Sequence, residues 1–188
     1  MASRAERYLA HLDSLSGGVE PEFHRIEPEP GGAPVSVIVY PDTPEPGHLT
    51  AFTYGLSLAD HPAWRFGRPE LCVSVRSADI AWALVAGRLA ARLRGRCPFT
   101  YGDLLDYGAP VSAESPMHAF VVFAPMVLER ADHVGIDVGD GDPADQISIA
   151  QLYPVHPSEL EYLTEHGLTE EFWQQEWDPF DVTRPPAR

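Results

Sequence analysis

The chain has 188 residues, 44% of them apolar and 22% charged, with a net charge of −15. That length buries a core without staples, and two cysteines, Cys72 and Cys97, are too few for a disulfide framework, so a reducing compartment fits. All 13 basic residues are arginine and asparagine is absent, which excludes a lysine Schiff base, a P-loop lysine and an N-glycosylation sequon.

Arg4 to Leu15 is predicted as a helix, with Tyr8, Leu12 and Leu15 on one stripe. Ser3 and Glu6 make a capping box at its start, and Gly17-Gly18 ends it. The leading segment is charged throughout, unlike a secretory signal, and no apolar run is long enough to span a bilayer. These features lead us to expect a cytoplasmic protein. Residues 20–34 are rich in proline and acid and read as a surface connection.

Val35 to Tyr40 and Leu49 to Tyr54 alternate as strands, and the seven-residue turn between them forces an antiparallel pair. Glu70 to Arg76 is a third strand. Asp79 to Arg94 is a helix carrying Trp82, Val85, Ala86, Leu89 and Leu93 on one face. Arg88, Arg92 and Arg94 lie towards its C-terminal end, where they complement the dipole. Phe99 to Asp106 reads as a turn and a short helical piece. Phe120 to Phe123, Val134 to Ile136 and Ile147 to Tyr153 read as strands, with Pro154 ending the last. Pro157, with Ser158 and Glu161 as a capping box, opens a helix that stops near Gly167, and Thr169 caps another over residues 170–177. The remainder, 178–188, is expected to fray. This order predicts a single mixed α/β (α+β) domain over 35–177, with a largely antiparallel sheet covered by helices, preceded by a helix and connection over 1–34.

Tests for chemistry return nothing. Gly55-Leu56-Ser57-Leu58-Ala59 lacks the second glycine of a nucleophile elbow. The eight histidines are scattered, with no H-E-x-x-H and no C-x-x-C. The aspartate loop Asp137 to Asp145 fails the spacing of a calcium hand, leaving a turn or a weak cation site. Neither Gly-Gly pair lies between a strand and a helix, as a phosphate cradle requires. No catalytic residue, cofactor or metal site is therefore assigned. Residues 129–188 carry fourteen acids against three arginines, net −11. Such a surface repels nucleic acid and anionic membranes and suits a basic protein partner.

Six pieces in order resemble the suppressor of fused (SUFU) domain family: HLTAFTYGLS (48–57), PELCVSVR (69–76), the tryptophan-bearing helix from Asp79, FTYGD (99–103), FVVFAP (120–125) and LYPVHPSELEYLTEHG (152–167). The resemblance spans roughly residues 35 to 177. It implies an α/β fold without catalytic activity, and it places Glu70 on the side that faces a protein partner. Single-domain bacterial members are assigned as immunity proteins that silence a co-encoded toxin. The resemblance thus implies a non-enzymatic, cytoplasmic immunity protein whose partner is a cognate toxin, such as a basic nuclease. A general interaction module with a non-toxin client and an enzyme with an unrecognised site are the alternatives. Trp64, Trp173 and Trp177 are candidate aromatic anchors, and Asp140 and Asp142 are candidate acidic contacts.

Overall fold

A computed structural model describes residues 2–28, 30–65, 67–139, 141–175 and 177–187. Its seven strands form one sheet in the order β1-β2-β3-β4-β7-β6-β5. They are β1 (Glu22–Ile26), β2 (Val35–Pro41), β3 (His48–Tyr54), β4 (Arg68–Arg76), β5 (Leu104–Asp106), β6 (Ala119–Phe123) and β7 (Ile147–Val155). Every neighbouring pair is antiparallel except β4 and β7, which run parallel. That exception follows from the chain, because β4 leads into a crossover helix, α2 (Ala81–Leu93), instead of a tight turn.

Alternation along the strands sorts the core into two layers. Val35, Val37, Val39, Leu71, Val73 and Val75 turn to one face and pack under α2 through Trp82, Val85, Ala86 and Leu89. Gly87 allows the close approach, since a Cβ there would lie 2.4 Å from Val37 Cγ2 and 2.7 Å from Ile26 Cγ1. The opposite face packs Ile38, Tyr40, Phe52 and Cys72 under Tyr8 and Leu12 of α1 (Arg4–Leu15). Further along that face, Tyr153 and Val155 meet Leu163 of α4 (Pro157–His166) and Phe172 of α5 (Glu170–Trp173).

The Ser3/Glu6 capping box forms as expected: Ser3 Oγ accepts the Glu6 N–H at 3.3 Å, and the Glu6 carboxylate accepts the Ser3 N–H at 2.6 Å. Those bonds hold the Glu6 carboxyl below its ordinary range. We expect Ser3→Ala to cost about 1 kcal/mol, read as a fall in melting temperature of roughly 2–4 °C for a chain of this size.

Several local expectations are corrected. Residues 22–26 are an edge strand, because pairing with β2 supplies what the composition lacks. Leu104–Asp106 is strand β5, paired with β6, in place of a helical piece. Val134 to Ile136 contributes only the bridge Ile136–Ile147, after a short helix α3 (Arg130–His133). The α4 cap is His156, whose N–H is accepted by Glu159 at 2.8 Å, so Ser158 and Glu161 play no such part.

Pro154 does not end β7. Along β7 the backbone groups of alternate residues point the same way, and Gln146 accepts the Arg68 N–H from β4. Pro154 is in step with Gln146, so its missing N–H falls on the β4 side, beyond the last β4–β7 pair, Cys72 and Gln151. No ladder bond is lost there, and proline is tolerated as on an edge.

The terminal segment, expected to fray, fills that same wedge between β4 and β7. Phe180 C=O accepts the Arg76 N–H at 2.8 Å, and Arg184 Nη2 donates to Pro154 C=O at 3.3 Å. Val182 is buried.

Candidate partner-binding cleft

At the other end of β4 and β7, where both strands begin, lies a cleft of about 550 Å³. The loop before β4 supplies Trp64 and Arg65, the segment before β5 supplies Tyr101, α3 and its exit supply Arg130 and Val134, and β7 supplies its floor at Ile149. Trp64 is half-buried and donates through Nε1 to Pro98 C=O at 3.0 Å, which fixes its ring. Tyr101 is 52% exposed and Val134 39% exposed. The Tyr101 ring leans on Phe123, 5.1 Å between centroids.

The wall carrying Tyr101 is held in a costly shape. Phe99 is buried with φ of 54°, a left-handed conformation that side chains disfavour. Its surroundings hold it: Phe99 N–H donates to Cys97 Sγ, and Asp103 accepts from the Thr100 N–H at 2.8 Å and the Thr100 hydroxyl at 3.0 Å. Strain of this kind gathers at binding sites.

The floor is an interrupted sheet. Ile147 exchanges backbone bonds with Ile136 at 2.8 and 3.0 Å, on the side of β7 away from β4. Ile149 points its N–H and C=O the same way. β6 does not reach it, since that strand ends at Phe123, opposite Gln151. Ile149 itself is 1% exposed, so it is a packed floor of the cleft with the Val134–Ile136 segment alongside it.

Glu70 lies near this end of β4 but is 0% exposed. Its carboxylate accepts the Thr53 hydroxyl at 2.7 Å and the N–H groups of Gly55 and Ser57 at 2.8 and 2.9 Å. These bonds tie down the corner after β3, where Gly55 has φ of 130° and a Cβ would meet Pro34 O at 2.9 Å. Burial raises the Glu70 carboxyl above the usual range, against the hydrogen bonds from Thr53, Ser57 and Gly55. With no exposed atom, Glu70 is a structural clamp, and the partner-facing position implied by resemblance is corrected accordingly.

The other sequence candidates do not converge. Trp173 and Trp177 stack on each other at 5.6 Å, and Trp177 lies under Arg184, 4.2 Å from guanidinium to ring. Both are half-buried and neither lines the cleft: Trp177 seats Arg184 of the terminal segment, and Trp173 packs on Phe123 and Tyr153. Asp142 is exposed and accepts the Ala144 N–H at 2.9 Å, an ordinary Asx turn. Asp140 lies outside the described residues. Of the five that are described, Trp64 alone lines the cleft.

Tyr101, Val134, Arg65 and Arg130 were missed from the sequence. The one usable signal was FTYGD, whose tyrosine falls in a turn between apolar segments. Among the described residues lining the cleft, none pairs a nucleophile with a base. The two thiols are held protonated by burial, which raises both Cys72 and Cys97. Among the described residues, no three His, Cys, Asp or Glu side chains converge on a metal position. What the cleft offers is aromatic and apolar surface and two guanidinium groups, which is equipment for recognition.

The family described as "Suppressor of fused protein (SUFU)" matches residues 31–185. A solved suppressor of fused homolog from Neisseria gonorrhoeae superposes with a TM-score of 0.73 at 15% identity, covering 96% of this chain and 94% of that one. Drosophila Suppressor of Fused gives 0.64 at 14% identity over 95% of this chain, which spans half of the fly protein. A chain of a Sufu–Fu complex gives 0.53 at 15% identity, covering 85% of this chain and 78% of that one. No curated protein matches the chain by sequence.

Proposed function

Because the chain belongs to the suppressor of fused family, we propose that it is a non-enzymatic protein-binding domain, and specifically an immunity protein that covers and silences a cognate toxin in the cytoplasm. The observation that carries this reading is the cleft: exposed Tyr101 and Val134 beside the exposed guanidinium groups of Arg65 and Arg130. A partner segment entering it buries the Tyr101–Val134 wall, and aromatic anchors of this kind carry most of an interface's affinity. The Sufu–Fu complex, in which a chain of this fold occurs with a second protein, supports the binding half of the proposal. The acidic charge of the last third supports a basic toxin, since opposite fields speed encounter.

Co-expression with the product of the neighbouring gene tests the reading. We expect growth rescue and a one-to-one complex. Tyr101→Ala combined with Val134→Asp should weaken that complex roughly 100-fold, as loss of two contacts worth about 1–2 kcal/mol each does. The melting temperature should stay within a few degrees, because both residues are exposed. Absence of rescue and of complex sinks the immunity role. A complex indifferent to both changes moves the interface elsewhere.

A further inference from the structure

The charge of the cleft is opposite to that of the molecule. The chain holds 28 acidic residues and a net charge of −15. Yet the described lining of the cleft contains no aspartate or glutamate, and its charged members are Arg65 and Arg130. Both are exposed, and among the described residues neither makes an ion pair, whereas Arg4, Arg25, Arg68, Arg76 and Arg184 all do. Among the described residues neither guanidinium has a side-chain or backbone hydrogen-bond partner, in contrast to Arg68, which donates to Ala59 C=O at 2.6 Å. Arg130 stands close enough to Tyr101 to oppose the upward push that burial gives the tyrosine hydroxyl. The guanidinium thus overlooks the same aromatic wall that forms the apolar part of the site.

Resting on the reading of this cleft as the partner site, we propose that the segment it takes is an extended peptide bearing a carboxylate between apolar or aromatic residues. Guanidinium groups match carboxylates with paired, charge-assisted hydrogen bonds that a lysine cannot reproduce. The Tyr101–Val134 wall takes the apolar neighbours of that carboxylate. The overall negative field and this local positive site have separate roles. The first draws a basic protein in, and the second selects which of its segments docks.

Panning a library of random 12-residue peptides on the intact protein tests this, with the recovered peptides synthesised as acetylated amides. The expected result is a set rich in Asp or Glu flanked by apolar residues. Changing that acid to its amide, or changing the protein to Arg65→Gln/Arg130→Gln, should weaken binding at least 10-fold, and Tyr101→Ala should weaken it too. The acid-to-amide change in the peptide leaves the protein untouched, so folding of the variants does not confuse the outcome. Peptides that need Tyr101 but are neutral or basic, and that ignore the arginine changes, overturn the acidic assignment and leave the cleft standing. Peptides indifferent to Tyr101→Ala, or no peptides at all, overturn the cleft itself and this inference with it.

Discussion

Replacing Arg184 with alanine is expected to lower the free energy of unfolding by about 3–5 kcal/mol, the cost of stranding one member of a buried ion pair. Arg184 is 6% exposed and Glu159 2%. They meet fork to fork, Nη1 to Oε1 at 2.5 Å and Nη2 to Oε2 at 2.8 Å. The remaining capacity of the pair is used as well. Glu159 accepts the N–H groups of His156 and Ala187, His156 Nε2 donates to Arg184 C=O at 2.8 Å, and the Trp177 ring lies against the guanidinium. One network thus caps α4 and fastens the terminal segment into the wedge between β4 and β7. Urea denaturation should show the loss, and limited proteolysis should cut after Trp177 in the variant alone. Glu159→Leu with Arg184→Met should recover only part of the loss, because no charge is then left buried without its partner while the His156 and Ala187 N–H groups lose their acceptor. A variant as stable and as resistant as the parent would return the segment to the role of a loose tail.

Glu70→Ala is the second large effect. It leaves the Thr53 hydroxyl and the N–H groups of Gly55 and Ser57 buried without an acceptor, at about 1–3 kcal/mol each. The corner after β3 should loosen, and with it the edge of β4. Glu70→Gln keeps an acceptor and separates charge from shape. Burial raises the carboxyl in the native state above its unfolded value of 4.5, so the native chain holds this proton more tightly than the unfolded one. The stability contributed by protonation is complete below pH 4.5 and is lost as pH rises through the native value. Between pH 7 and pH 5 the stability of the parent should therefore rise relative to Glu70→Gln, measured by urea unfolding at both values. A difference that runs the other way would mean that the three hydrogen bonds outweigh burial.

How far the fold was legible depended on whether a segment carried its own instructions. The Ser3/Glu6 box and the Tyr8–Leu12 stripe announced α1, and alternation announced β2, β3 and β4, because each pattern arises within one turn or one strand. β1 and β5 have no such pattern, and pairing to β2 and β6 makes them strands. Pro154 reads as a strand breaker until the register places its nitrogen where no ladder bond exists. The tail reads as loose until Arg184 is seen to find Glu159, 25 positions earlier.

The site followed the same division. Charge totals, the lack of lysine and the missing catalytic spacings are properties of the chain as written, and so was the resemblance carried by short ordered motifs. Those properties sufficed for the family and for the fold class, since amphipathic period and turn chemistry act over a few residues. The cleft had no such local basis. Trp64, Tyr101, Arg130 and Ile149 come from four separate segments, and pairing of β4, β6 and the Ile136 bridge to β7 brings them together. Whether a side chain is buried or free is settled by packing from distant parts of the chain. That is why Glu70 became a clamp, Trp177 a seat for Arg184, and Tyr101 a wall open to a partner.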